Sequence, residues 1–117
     1  MQISRWHVFP TVEALQEQAA KEIIETAQQA IAARGAFNLV LAGGNTPRGV
    51  YERLRDAHAD CSCWYIYFGD ERSLPPNHPE RNSVMALNAW LNNSSVPHNQ
   101  IFIMRHYGWY CCFAADR

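Results

Sequence analysis

Lysine is nearly missing from this chain. Nine of its ten basic residues are Arg, and Lys21 is the one Lys. An excess of either charge is missing too: ten basic residues face eleven acidic ones, interspersed without long runs, for a net charge of −1. Such a balance gives no basic stripe for nucleic acid and no polybasic patch for an anionic membrane, so neither is expected as a partner. No apolar run approaches the roughly 18 residues of a membrane span, and Met1 to Phe9 is too short and polar for a secretory h-region. The expected compartment is therefore the cytoplasm. Cysteine is sparse and spaced unlike a metal or redox site. Cys61, Cys63, Cys111 and Cys112 form C-x-C and C-C pairs in place of C-x-x-C, so reduced thiols and no metal are expected. Neither the Walker loop nor the dinucleotide G-x-G-x-x-G occurs, and there is no internal repeat or low-complexity tract.

What is present is a chain of 117 residues, 48% hydrophobic and 18% charged, the size and composition of one folded domain. Its organising stretch is Phe37 to Tyr51, FNLVLAGGNTPRGVY. An apolar run ends in Gly43-Gly44-Asn45-Thr46-Pro47 and gives way to helical spacing. This predicts a strand buried on both faces, a glycine turn and a helix N-terminus, with Thr46 as N-cap and Pro47 in the first helical position. Unpaired N–H groups and the helix dipole favour an anion there.

Before it, Ile3 to Phe9 reads as a strand. Thr11 caps a long amphipathic helix whose inward line is Val12, Leu15, Ala19, Ile23, Ala27, Ala30 and Ile31, closed at Arg34-Gly35. After it come a helix from Pro47 to about Ala57 (Val50, Tyr51 and Leu54 inward) and an aromatic strand Trp64 to Phe68. A loop rich in Pro and Asn leads to a helix from about Ser83 to Asn92, with Val84, Leu87, Trp90 and Leu91 inward. A turn at Val96 to Asn99 and a short strand Ile101 to Met104 complete the series. The order β-α-β-α-β-α-β implies right-handed crossovers and a parallel α/β sheet with helices on both faces, ligands sitting at the carboxyl ends of the strands.

Two polar clusters follow strands directly and share that edge: Gly43 to Thr46, and Gly69-Asp70-Glu71-Arg72. By itself G-G-N-T-P serves equally as a plain turn. In the second cluster Arg72 can neutralise a phosphate or oxyanion, and Asp70 can orient a partner, accept a proton or bind sugar hydroxyls. The competing reading pairs Glu71 with Arg72 as a structural brace. Asn82 and Ser83 stand where a helix begins, which makes capping their simplest role. Arg81 and His78 can face the pocket from the preceding loop. His7, His58 and His98 show no partner pattern. The aromatic run at Trp64 to Phe68 reads as core.

Together, LVLAGGNTPRGVYERL, WYIYFGDERSLPPNHPERNSVMALNAWL and VPHNQIFIM resemble the 6-phosphogluconolactonases, over about Ile3 to Met104. The resemblance implies a Rossmann-like α/β fold shared with glucosamine-6-phosphate isomerases. It implies hydrolysis of 6-phosphoglucono-δ-lactone to 6-phosphogluconate in the oxidative pentose phosphate pathway, with a small sugar phosphate as partner and no cofactor. It places Gly43, Gly44, Asn45, Thr46, Arg72 and Asn82 at the substrate and its phosphate, and Asp70 and Arg72 beside the lactone as auxiliary catalytic groups. The family's base is a His in a later G-x-D-G-H, which would activate water.

That motif is absent from these 117 residues. Family chains run to roughly twice this length. The tail RHYGWYCCFAADR matches no family pattern and shows neither helical nor strand periodicity. The resulting expectation is a family domain over residues 1–104, truncated after about four strands, and a non-family tail over 105–117 from a reading-frame change. The expected product is inactive, with its oligomeric state open. The alternatives are a non-catalytic sugar-phosphate-binding fragment, or a glucosamine-6-phosphate isomerase relative. Arg72 argues against the latter, since that branch has Tyr at the equivalent place.

Overall fold

The computed structural model describes residues 8–71, 74, 78–105 and 108–111. Helix α1, Val12–Arg34, starts at Thr11, whose hydroxyl accepts from the Ala14 N–H at 3.1 Å, and ends at Gly35. Strand β1 is Phe37–Leu41, helix α2 Asn45–Ala57 and strand β2 Trp64–Phe68. Helix α3 is Asn82–Ala89, followed by 3-10 turns at Leu91–Asn93 and His98–Gln100, strand β3, Phe102–Arg105, and strand β4, Gly108–Cys111.

The strand expected at Ile3 to Phe9 lies outside the described residues from 3 to 7; Val8 and Phe9 are in no strand.

β1 and β2 pair in parallel with Phe37 opposite Trp64 and Leu41 opposite Phe68. Because side chains alternate along a strand, this register puts Phe37, Leu39, Leu41, Trp64, Ile66 and Phe68 on one face. α2 and α3 pack there: Tyr51 stacks on Trp90, Trp90 meets Trp64 edge-on at 5.8 Å, and Phe37 meets Trp64 at 5.0 Å. α1 joins the same core through Ala20, Ala27 and Ala30.

The opposite face of β1 is open among the described residues, with Asn38 exposed and Val40 62% exposed. The unbroken apolar run of β1 therefore does not mean burial on both sides. On that face Tyr67 stacks on Phe102 at 5.0 Å. Ile101 adds a single parallel bridge to Ile66, and the Gln100 side chain donates to Trp64 O at 2.8 Å, holding the last connection against β2.

Two inward lines and one strand differ from what the spacing predicts. In α1 the buried residues are Gln16, Ala20, Ala27 and Ala30, while Val12 and Leu15 are 50% and 38% exposed. The packed neighbour of α1 at Gln16 is α2, and this polar residue is admitted because α2 satisfies it, as shown below. In α3 the small residues Ser83, Ala86 and Ala89 are buried and Val84 and Leu87 half-buried, since the large Trp90 and Leu91 beyond the helix fill the core. Finally, Gly108–Cys111 pairs antiparallel with β3, although the tail shows no strand periodicity. A short hairpin can form on backbone hydrogen bonds alone, which leave no mark in side-chain alternation.

Candidate functional site

The carboxyl ends of β1 and β2 lie side by side, and the Gly69 N–H donates to Leu41 O at 2.9 Å as the last rung between them. Beyond that rung β1 turns through Gly43 and Gly44 into α2, and β2 runs on into Asp70 and Glu71. The two polar clusters expected to share an edge do so.

The entry to α2 differs from the expected one. Its N-cap is Gly44, at φ 106° and ψ 170°, and Asn45, Thr46 and Pro47 form its first turn. Thr46 caps nothing, and Pro47 is the third helical residue, where a missing N–H still costs no intrahelical bond. The helix begins two residues early because Gly44 alone can make the reversal, in a region of backbone space essentially closed to other residues. Among the described residues no side chain caps this N-terminus, and no acidic residue occupies its first turn. Asn45 and Thr46 are exposed, so the uncompensated positive end of α2 faces out of the edge.

Two groups that the sequence did not single out for this role hold the turn. The Tyr51 hydroxyl donates to Ala42 O at 2.7 Å and accepts from the Ala42 N–H at 3.0 Å, clamping the end of β1 to α2. Burial raises the Tyr51 pKa, so the hydroxyl keeps the proton it donates. Gln16 donates from Nε2 to Thr46 O at 3.2 Å and accepts at Oε1 from Arg53 Nη1 at 3.0 Å. Tyr51 was legible as a core residue; a buried glutamine in a helix carries no sequence signal.

On the β2 side, Glu71 points inward. Its two carboxylate oxygens accept the backbone N–H groups of Asn82 (2.6 Å) and Ser83 (2.9 Å), and Arg81 Nη2 lies 3.5 Å from Oε2, with both side chains almost fully buried. Glu71 is thus braced by Arg81, because the chain returns to Glu71 at the start of α3. Arg72 itself lies outside the described residues. Arg81, almost fully buried, serves this pair. The His78 ring accepts from the Glu80 N–H at 3.1 Å.

The N-cap of α3 is Arg81, and Asn82 does not cap it by its side chain. Instead the Asn82 carboxamide crosses to β2, donating from Nδ2 to Asp70 Oδ1 at 3.2 Å and to Asp70 O at 3.3 Å. Its other side lies against Gly43, whose missing Cβ would overlap the carboxamide. Gly43, Asp70 and Asn82 therefore converge; Gly44, Asn45 and Thr46 line the same rim; Asp70 is exposed beside them.

Two helix N-termini thus meet at one edge. That of α3 is neutralised by Glu71, and that of α2 is left open. The arrangement can receive an anion at α2 and a hydroxyl-bearing group at Asp70. Among the described residues no group of three or more His, Cys, Asp and Glu could hold a metal ion.

A sequence profile described as "Glucosamine-6-phosphate isomerases/6-phosphogluconolactonase" matches residues 10–110. The chain belongs to this family. A 6-phosphogluconolactonase of Nostoc sp. is 33% identical over 94 residues, 80% of this chain and 39% of that protein. One from Synechocystis sp. is 38% identical over 76 residues, 65% of this chain and 32% of that protein. Among solved structures, the 6-phosphogluconolactonase of Trypanosoma brucei superposes with a TM-score of 0.74 at 27% identity, covering 82% of this chain and 37% of that one. A monomeric glucosamine-6-phosphate deaminase superposes with a TM-score of 0.71 at 22% identity over 80% of this chain and 39% of that one, which shows the Rossmann-like α/β fold held in common. The chain thus spans between about a third and two fifths of the length of these relatives. The glycine-loop and strand-end segments of the site lie within the matched residues.

Proposed function

We propose that this chain supplies the sugar-phosphate-binding part of a 6-phosphogluconolactonase, the enzyme that hydrolyses 6-phosphoglucono-δ-lactone to 6-phosphogluconate in the oxidative pentose phosphate pathway. The observation that carries the reading is the uncapped N-terminus of α2 set beside Asp70 and Asn82 at the carboxyl edge of a parallel sheet. The substrate's phosphate belongs over Gly43, Gly44, Asn45 and Thr46, where unpaired backbone N–H groups and the helix dipole meet it. Its hydroxyls and lactone ring belong toward Asp70. Arg72, two positions on, is assigned by sequence position the charge that neutralises the phosphate or the developing oxyanion.

Lactone hydrolysis also needs a base to take a proton from the attacking water. These 117 residues contain no G-x-D-G-H, and Glu71, the carboxylate nearest Asp70 in sequence, is committed to α3 and Arg81. The reading therefore separates binding from chemistry: this chain holds 6-phosphogluconate and does not accelerate lactone opening by itself. Among the described residues no helix is long and apolar enough to cross a membrane, and a cytoplasmic site of action fits a pathway of soluble sugar phosphates.

The test is a pair of measurements on the 117-residue chain. Calorimetric titration should detect 6-phosphogluconate, and a dehydrogenase-coupled assay should find lactone opening at its spontaneous rate. Turnover abolished by Arg72→Ala would contradict the division of roles, and absence of binding would contradict the site.

A further inference from the structure

Gly43 and Gly44 look like one flexible dipeptide, but they are glycine for different reasons. Gly44 needs a positive φ, whereas Gly43 does not adopt one. A Cβ on Gly44 would make only an ordinary van der Waals contact with Pro47. A Cβ on Gly43 would overlap the carboxamide of Asn82. The space that the absent side chain leaves is thus occupied by a group of this chain, which then reaches past the loop to Oδ1 and the backbone O of Asp70. The start of α3, meanwhile, owes its hydrogen bonds to Glu71 through backbone N–H groups, which any residue at position 82 except Pro would provide.

We infer that Asn82 is a positioning residue, a strut that sets the separation between the glycine loop and Asp70, and that Gly43 is glycine to admit it. The Asn82 side chain, expected from sequence to touch the sugar phosphate, acts instead through the two groups it holds apart. The consequence for ligand affinity rests on the sugar-phosphate reading of this edge; the strut itself does not.

The experiment uses the 117-residue chain with Gly43→Ala, Asn82→Ala and both together, each followed by thermal denaturation, amide NMR spectra and titration with 6-phosphogluconate. Gly43→Ala should lower the melting temperature, and adding Asn82→Ala should remove most of that loss by emptying the space the new Cβ requires. Asn82→Ala alone should shift the amide signals of Gly44, Asn45, Thr46 and Asp70, leave those of Ala86 to Trp90 in place, and weaken 6-phosphogluconate about tenfold, the equivalent of one hydrogen bond. Additive melting losses in the double variant would overturn the strut. So would Asn82→Ala shifts confined to α3, the pattern of a simple helix-start role. If the unsubstituted chain binds no 6-phosphogluconate, the functional reading falls, while the melts and spectra still decide the strut.

Discussion

Gly44 sits at φ 106° and ψ 170°, where a side chain is strained whatever space surrounds it. Gly44→Ala should therefore destabilise by about 1–3 kcal/mol, read from urea denaturation. Unlike the Gly43 substitution, it should not be relieved by Asn82→Ala. At the same scale, Tyr51→Phe removes both bonds to Ala42, and a loss of about 1 kcal/mol is expected. Cys61 gives a pH-dependent effect. Burial pushes its thiol from 9.0 up to about 11 in the folded chain. The unfolded thiol ionises first as pH rises, so the folded state holds the extra proton between those values. The thiol's contribution should be full below pH 9 and fall between about pH 9 and 11, with Tyr51 adding to the fall above 10 in the same direction. Chemical denaturation at a series of pH values checks this, and Cys61→Ala should remove the portion that begins near 9. Residue roles were the least legible part of the sequence. The glycines, Asp70 and Asn82 stood out by type and place, but an Asn at a helix start looks the same whether its side chain turns back to cap or crosses to another strand. That Arg81 meets Glu71 depends on the return path of a loop, and spacing does not encode that path.

At the scale of elements, α3 is eight residues long with no acidic residue in its own first turn. Its start is made by Glu71, from the end of β2, together with Arg81. Removing that carboxylate takes away a buried partner of Arg81 as well as two hydrogen-bond acceptors. Glu71→Ala should cost at least about 3 kcal/mol by denaturant titration, more than any change at the exposed rim. The helix and strand series β1-α2-β2-α3 was legible because glycine, proline and hydrophobic spacing report local geometry. The inward line of α1 was legible in part: Ala27 and Ala30 are buried and Ala19, Ile23 and Ile31 pack on the core, while Val12 and Leu15 are exposed. Apolar spacing alone favours Val12 and Leu15, whereas the buried residues of α1 begin at polar Gln16, which meets Thr46 and Arg53 of α2. Small residues let two helices approach closely, and Gly49 of α2 is where Gln16 enters, since a Cβ there would overlap its carboxamide. Close approach is a property of the pair, invisible in either helix alone.

At the scale of the molecule, the described helices cover one face of the β1–β2 pair and leave Val40 and Asn38 open on the other. Val40→Lys should therefore change the unfolding free energy by no more than about 0.5 kcal/mol, a value out of reach for a strand residue buried on both sides. The family's fold class was legible from the glycine loop, the G-D-E-R strand end and the strand–helix alternation. The open face was not, because an apolar strand reads the same whether or not a second layer of helices covers it. The central claim is that this chain carries a sugar-phosphate half-site at the carboxyl edge of its sheet. The most direct test is titration of isotopically labelled 117-residue chain with 6-phosphogluconate, followed residue by residue through amide NMR. The account predicts saturable shifts at Gly43, Gly44, Asn45, Thr46, Asp70 and Asn82. Spectra unchanged at millimolar ligand, or shifts clustered away from that edge, would contradict it.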